Sequence, residues 1–395
     1  MNELILVSLC IGSGLLVIYH HFGYPLFLVW YSRHNPKQDV KRVHRGYRQR
    51  REDRARPSIT VLIPAYNEER WIADKIRNLA MLDYPRDRLK IIIACDGCTD
   101  DTVEVAESTI QEAACSDIYF EIRVFSNNRG KIAVLNEQML TIDTDITALS
   151  DVSALISIDA LLIAEQHFLN PKVGVVNSSY RILSTMNEGE AKYWQYQSKI
   201  KQCEVALGST LGAHGALYLL RTHLFSPLDP STINDDFVVP MEIIQKGYVV
   251  QYEQRMIALE MESTRLQNDL TRRLRISAGN MQQAIRLAEL FLPRYRGVAF
   301  AFASGKGLRL ITPYLMLTCL ACSIALMDLP IFMVALVLQT IVYGIAVVTS
   351  LFPSIFDFKI CRLLTYLVAG HCVNLIGGIR YLLGYESGRW TRVNR

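Results

Sequence analysis

The chain predicts a doubly wound α/β domain with a mostly parallel sheet, carried between apolar helices at its two ends. Half of its 395 residues are hydrophobic, and that excess over a soluble enzyme is concentrated at the ends of the chain. Between about residues 57 and 290, short β-branched runs alternate with helical segments, the pattern of βαβ units.

At the amino end, residues 4–30 are almost free of charge and exceed the roughly 20 residues a helix needs to cross a bilayer. No basic leader precedes this run and no small-residue cleavage pattern follows it, so it reads as an anchor and not a cleaved signal peptide. His20, His21 and the Gly23-Tyr24-Pro25 turn mark a kink or the bilayer boundary. A basic run follows: Arg33, Lys37, Lys41, Arg42, Arg45, Arg48, Arg50, Arg51, Arg54 and Arg56 face only Asp39, Glu52 and Asp53. Such a run beside an apolar segment is expected on the cytoplasmic side, against anionic membrane lipid; a solvated linker without a partner fits the same residues. Nucleic acid is not an expected partner, because Tyr47 is the run's one aromatic residue and the net charge is only +4.

Toward the carboxyl end, residues 308–327, 329–352 and 363–383 are three further apolar segments. The first two, separated by Asp328-Leu329-Pro330, make a tight helical hairpin; the third follows Asp357-Phe358-Lys359. His371, Asn374 and Arg380 interrupt it, which suits a partly interfacial position. Lys306 and Arg309 on one side, and Arg380, Arg389, Arg392 and Arg395 on the other, all favour the cytoplasm. Three full crossings cannot satisfy both groups, so one segment is expected to be re-entrant or interfacial. Residues 299–309, with Ser304, Lys306 and two glycines among apolar residues, read as a separate interfacial segment. The expected organisation is an anchor (1–32), a basic linker (33–57), the α/β domain (58–265), interfacial helices (266–307) and terminal membrane helices (308–395). The nine cysteines show no framework spacing; Cys95 and Cys98 form an isolated C-x-x-C that lacks the partners of a zinc or redox site, and a reducing compartment fits best.

Within the α/β domain, residues 58–63 read as a buried strand, and Asn67 as the cap of a helix reaching about Met81. Residues 89–94 form a second strand, Asp96-Gly97 a turn, and Asp100-Asp101-Thr102 the start of a second helix. Residues 121–125 and 131–139 make the third strand and helix, and 148–150 a fourth strand. The clusters Tyr66-Asn67-Glu68, Asp96-Gly97, Gly130-Lys131 and Asp151-Val152-Ser153 fall at or just after strand ends, where ligands sit on such sheets.

Pro64-Ala65-Tyr66-Asn67-Glu68-Glu69, Cys95-Asp96-Gly97-Cys98-Thr99-Asp100-Asp101, Asn128-Arg129-Gly130-Lys131 and Ser150-Asp151-Val152-Ser153 occur in order within ninety residues. In that order and spacing they resemble the successive motifs of membrane-bound family 2 glycosyltransferases with the GT-A fold, such as enzymes of bacterial exopolysaccharide and cell-envelope glycan synthesis. The likeness continues through Gly212-Ala213-His214-Gly215, Ile233-Asn234-Asp235-Asp236-Phe237 and Arg272-Arg273-Leu274-Arg275.

The resemblance implies an inverting transfer of a sugar from a nucleotide-diphosphate donor, by family habit a UDP-sugar, to a lipid-linked or saccharide acceptor at the cytoplasmic face of the cell membrane. It implies that Pro64, Tyr66, Glu68 and Asp96 line the nucleotide pocket, although Glu68 also reads as a helix-start carboxylate. Lys131, at a helix start, suits a phosphate. Asp151 and Ser153 stand where the family carries D-x-D, whose acids hold Mn²⁺ or Mg²⁺ on the diphosphate; with serine in second place, metal binding falls to Asp151. Asp236 is the expected base, with Asp235 beside it; both also suit a helix start. His214 and Gly215 match the acceptor loop, and a structural histidine is the bland alternative.

Arg272 and Arg275 occupy the place of the Q-x-x-R-W motif of processive synthases, with Ile276 in place of the tryptophan. Loss of that aromatic platform favours a single sugar addition over polymerisation. A processive exopolysaccharide synthase and an inactive membrane assembly subunit are the alternatives; a nucleotidyltransferase lacks its glycine-rich loop here.

Overall fold

The computed structural model describes residues 2–37, 40–41, 51–183, 188–261, 266–352 and 358–386. Of the basic linker, Arg42, Arg45, Arg48 and Arg50 lie outside these residues, as do Asp39, Asp357 and the terminal Arg389, Arg392 and Arg395. The chain forms two compact units: Val29–Arg265, and Met1–Leu28 together with Leu266–Glu386.

The first unit is built on one eight-stranded sheet. Its strands are β1 (Ile59–Ala65), β2 (Leu89–Asp96), β3 (Tyr119–Phe125), β4 (Ile146–Leu149), β5 (Ala154–Ile156), β6 (Val173–Ile182), β7 (Tyr218–Arg221) and β8 (Val249–Glu260), in the order β3-β2-β1-β4-β7-β6-β8-β5. β1 to β4 are mutually parallel, β7 runs against both its neighbours, β6 and β8 are parallel, and β5 closes the edge antiparallel to β8. The sheet is therefore mostly parallel, as its βαβ alternation requires.

β1 is buried along its whole length, as a strand covered by helices on both faces must be. Ile59, Val61 and Ile63 are completely enclosed, each worth roughly 1.5–3 kcal/mol over its exposed state. Pro64, which has no amide hydrogen, is unusual in a central strand. Its position explains it: the register with β4 ends at Leu62↔Leu149, while pairing with β2 continues through Pro64↔Ala94. The proline therefore sits beyond the last rung on the β4 side.

Helices Ile72–Ala80, Thr102–Ile110, Lys131–Met139 and Ala160–Phe168 connect the strands. The first begins later than its sequence suggests. Asn67 is not its cap but adopts a left-handed conformation (φ 54°), and its side-chain oxygen accepts a hydrogen bond from the amide of Thr99 at 2.8 Å. An asparagine tolerates that backbone and bonds the neighbouring loop in preference to its own helix.

In the second unit the described residues hold helices long and apolar enough to cross a membrane: Gly297–Ala325, Pro330–Leu351 and Lys359–Leu382, with Glu3–His34 before the sheet. Residues 299–309 run without a break into the helix Gly297–Ala325, in which Phe302–Gly307 forms a π-helical turn that absorbs Gly305 and Gly307. Tyr19–Gly23 is a second such turn, which carries the helix on through Pro25, and the Tyr19 and Ser304 hydroxyls of the two turns lie 3.0 Å apart. In Lys359–Leu382, His371 and Asn374 are turned inward: the Nε2 atoms of His371 and His21 are 3.0 Å apart, and Asn374 Nδ2 donates to the Arg309 carbonyl at 2.7 Å. Two of the three polar residues that interrupt this apolar segment thus face protein, as a membrane-crossing helix would require.

Candidate active site

The carboxyl ends of the parallel strands bring the polar clusters to one edge of the sheet, and β7, running the other way, brings its approach (212–217) to the same edge. Asp96 ends β2 and is fully buried. One of its oxygens accepts from the amides of Arg129 and Gly130 at 2.9 and 2.8 Å, and the other faces Arg129 Nε at 3.4 Å. Asp96 therefore ties β2 to the loop after β3. The turn beside it requires glycine: Gly97 has φ 65°, and a Cβ there would lie 2.3 Å from the Asn128 nitrogen.

That loop delivers Lys131 as the first residue of its helix. Lys131 Nζ lies 3.1 Å from Asp151 Oδ1 and 3.3 Å from Asp235 Oδ2. One ammonium thus bridges acids from two distant parts of the chain, the turn after β4 and the helix Asp235–Gln245. Burial disfavours its charge, but Asp151, Asp235 and Asp236 together outweigh this and hold it above the ordinary lysine value. Burial likewise disfavours the Asp151 carboxylate, yet Lys131, with His214 and Lys75 behind it, keeps its pKa below normal.

Asp236 behaves in the opposite way. Burial, then the charge of Asp235, raise its carboxyl to about 6 against the pull of Lys131. Its Oδ2 accepts from the Gly215 amide at 3.1 Å and its carbonyl from the Ala213 amide at 2.8 Å, so the acid and the 213–215 loop are fixed to one another. Gly215 also packs on Asp151: a Cβ would meet Asp151 Oδ2 at 2.8 Å. His214 stacks on Tyr180 at 3.8 Å, with Trp194 edge-on at 4.8 Å, while its Nδ1 accepts from the Ala216 amide at 3.1 Å.

Of the residues singled out in the sequence, the structure thus gathers Lys131, Asp151, Asp235, Asp236, His214 and Gly215. Pro64 and Tyr66 lie at the end of β1. The Glu68 amide donates to Thr102 Oγ1 at 2.7 Å, while its carbonyl starts the helical turn of Trp71 and Ile72. Ser153 lies between Asp151 and β5 and uses its carbonyl to accept from the Met261 amide at 3.0 Å. Arg272 and Arg275 lie half-buried on the helix Leu266–Arg286 of the other unit. The described cysteines, Cys95 and Cys98 included, are free.

Two residues to which the sequence assigned no role also lie here. Tyr218 opens β7 fully buried, its hydroxyl without a hydrogen-bond partner; burial, then Asp235, Asp236 and Asp151, push it well above its ordinary pKa. Lys75 is buried beneath the Asp151 turn. Its signal was present: Ile72, Lys75, Ile76 and Leu79 have the i, i+3, i+4, i+7 spacing of one helix face, so the lysine occupies a core position.

Among the described residues no group of three His, Cys, Asp or Glu side chains could hold a metal ion. The donor set at Asp151 is one half-exposed carboxylate, already touched by Lys131. That does not make a preformed cage, but it suits a hard cation bound through one or two carboxylates and the phosphates of a substrate.

A mostly parallel sheet with acidic side chains gathered at its strand ends, in a chain that also holds helices long enough to span a membrane, is the arrangement expected of a GT-A glycosyltransferase. The sequence profile described as Glycosyltransferase like family 2 matches residues 57–279, more than half of the chain, and the protein belongs to that family. It is 27% identical over 203 residues to the poly-β-1,6-N-acetyl-D-glucosamine synthase of Staphylococcus aureus (strain COL), covering 49% of this chain and 48% of that one. It is 26% identical over 207 residues to the enzyme of the same name from Staphylococcus epidermidis, covering 50% and 48%. The match thus spans about half the length of these relatives, and relates the protein to exopolysaccharide synthases. Among solved structures, the mannosyltransferase PcManGT from Pyrobaculum calidifontis, in complex with GDP-Man and Mn²⁺, superposes with a TM-score of 0.72 over 96% of this chain and 100% of that one, at 20% identity. That likeness establishes the fold.

Proposed function

We propose that the protein transfers one sugar, with inversion, from a nucleotide-diphosphate donor to a lipid-linked or saccharide acceptor at the cytoplasmic face of the membrane. The observation that carries this reading is the bridge made by Lys131 between Asp151 and Asp235, with Asp236 next in the chain and elevated toward neutrality. Such an arrangement separates two jobs. Lys131 and the start of its helix offer positive charge to a diphosphate, and Asp236 offers a base whose pKa lies near the working pH.

In the proposed step the acceptor hydroxyl gives its proton to Asp236 as its oxygen bonds to the anomeric carbon. The bond from that carbon to the diphosphate oxygen breaks on the opposite face, and the electron pair leaves with the nucleoside diphosphate. The Gly215 amide holds one oxygen of Asp236 in place, and Lys131 neutralises charge developing on the leaving group. A divalent cation, Mn²⁺ or Mg²⁺, held by Asp151 and the diphosphate would add Lewis-acid stabilisation there. Pro64, Tyr66 and Glu68, at or just after the end of β1, suit the nucleoside. Asp96 serves that pocket by fixing its loop, and Ser153 flanks Asp151. The aromatic group of Tyr180, His214 and Trp194 suits a sugar ring of the acceptor. Arg272 and Arg275, on the other unit, suit an anionic phosphate group.

A processive synthase is the second reading, favoured by the polymer-forming names of the relatives. One experiment addresses both. Detergent-purified protein is given a panel of UDP- and GDP-sugars with Mn²⁺, Mg²⁺ or EDTA, with membrane lipid extract as acceptor, and both nucleotide release and product length are followed. The expected result is metal-dependent turnover of one donor giving a product longer by one sugar. A ladder of products would replace the single-addition reading with the second, and no turnover of any donor would remove the enzyme reading.

A further inference from the structure

Lys75 is the one lysine of the helix Ile72–Ala80, and it points into the core with no exposed surface. Its ammonium donates to Ser150 Oγ at 2.6 Å and to the carbonyl of Ala154. These residues bracket the turn that carries Asp151 and Ser153. Ser150 Oγ in turn donates to the Ala216 carbonyl at 2.6 Å, next to the glycine that packs on Asp151. One ammonium thus ties both ends of the Asp151 turn together and, through a hydroxyl, ties the turn to the loop that holds Asp236.

A charge in such a place is costly. Burial pushes Lys75 down to about 7, with Asp151 and Glu260 opposing the shift. A methionine of similar volume would spare the site a desolvated charge but would leave the Ala154 carbonyl without its donor, so on stability alone the two effects oppose one another. What the lysine adds is several donors at one point, able to hold two acceptors four residues apart in sequence. With Ser153 in place of a second acid, the diphosphate and its cation meet a single carboxylate, and one carboxylate on a short turn is only as well placed as the turn itself.

We propose that Lys75 is a positioning residue of the transfer site, whose ammonium clamps the turn 150–154 and so fixes the Asp151 carboxylate for the diphosphate and its cation. This rests on the role of Asp151 proposed above.

The test uses the full-length, detergent-purified protein and its Lys75→Met and Ser150→Ala variants. Hydrogen exchange is measured first, with no ligand, on peptides covering residues 148–156 and 213–218, with β2 as internal reference. The amides of Asp151 and Ala154, which bond the carbonyls of Gly215 and Asp151 at 3.2 and 3.4 Å, should exchange about tenfold faster or more in Lys75→Met. Exchange in β2 should be unchanged and the melting temperature within about 6 °C of the parent's. Turnover with Mn²⁺ should then show kcat lower by about tenfold or more and a Mn²⁺ half-saturation about fivefold higher. Ser150→Ala, which removes one end of the clamp and keeps the charge, should move the same quantities less, and it decides the matter if Lys75→Met does not fold.

Unchanged exchange in the turn overturns the proposal. So does acceleration spread evenly over the sheet with a lowered melting temperature, which is the mark of a purely structural lysine, and so does a loosened turn with turnover within about twofold of the parent. Because the exchange arm needs no donor, a parent protein that turns over no sugar would refute the enzyme reading separately.

Discussion

Replacing Asp236 with asparagine should abolish transfer and at the same time make the protein harder to melt above neutral pH. The fold raises the Asp236 carboxyl from 3.8 to about 6, through burial and the neighbouring Asp235. It therefore favours the protonated form: the contribution to stability is complete at low pH and is lost as pH rises through about 6. At 1.36 kcal/mol per pKa unit, a shift of about two units sets an upper bound of about 3 kcal/mol. Asp235 shares that cost and Lys131 offsets part of it, so the expected gain from a neutral side chain is about 1–2 kcal/mol. In a unit of this size that corresponds to about 2–6 °C in melting temperature. Asparagine keeps an oxygen for the Gly215 amide, so no hydrogen bond is stranded. The assay is thermal melting of parent and variant at about pH 8 and about pH 4.5, where the gain should be full and about a third of full respectively. The parent's kcat/KM should rise with pH through about 6, and the variant should lose about 10²–10⁴ in kcat. A variant that melts below the parent at about pH 8 would show that the carboxylate is a stabilising partner there, and the argument for a poised base would fall.

Three further outcomes follow from the same geometry. Lys131→Met leaves Asp151, Asp235 and Asp236 facing one another without a cation, and should melt about 2–6 °C lower at about pH 7. That deficit should shrink below about pH 5 as the carboxyls protonate, and turnover should fall about 10²-fold or more; an equal deficit at both pH values would refute the counter-ion role. Gly215→Ala places a methyl 2.8 Å from Asp151 Oδ2, a contact the half-exposed carboxylate relieves by swinging away. Donor kcat/KM should then drop about tenfold or more with the melting temperature within about 2 °C, and unaltered kinetics would sink it. Tyr218→Phe removes a buried hydroxyl that has no partner, so the protein should melt at the same temperature or up to about 4 °C higher; a clear loss of stability would mean that the hydroxyl is bonded after all.

The parallel half of the sheet was legible because its strands are continuous runs such as Ile91-Ile92-Ile93, and helix Lys131–Met139 falls where its pattern placed it. The other half was not. β6 and β8 open with valines but continue through Asn177, Ser178 and Ser179 or Gln251, Glu253 and Gln254, and their pairing depends on segments far apart in the chain. Asn67 misled because a cap and a left-handed turn use the same side-chain chemistry. Lys131 and the aspartates were legible as motif positions, but that one ammonium serves both Asp151 and Asp235 is a fact of packing. Lys75 was hidden by its type: a lysine on a short helix reads as solvated, and only its place in the apolar stripe argues otherwise.

The sheet order bears on how the protein is made. β5 begins three residues after Asp151, yet β8, which ends at Glu260, is the one strand it pairs with. On a growing chain β5 therefore waits about a hundred residues for its partner strand, and β4 offers an open edge until β7 has emerged. Assembly of the site is therefore a late event, complete only once β8 has been made. Slowing synthesis between β4 and β8 should raise aggregation of the nascent protein more than slowing it after Glu260.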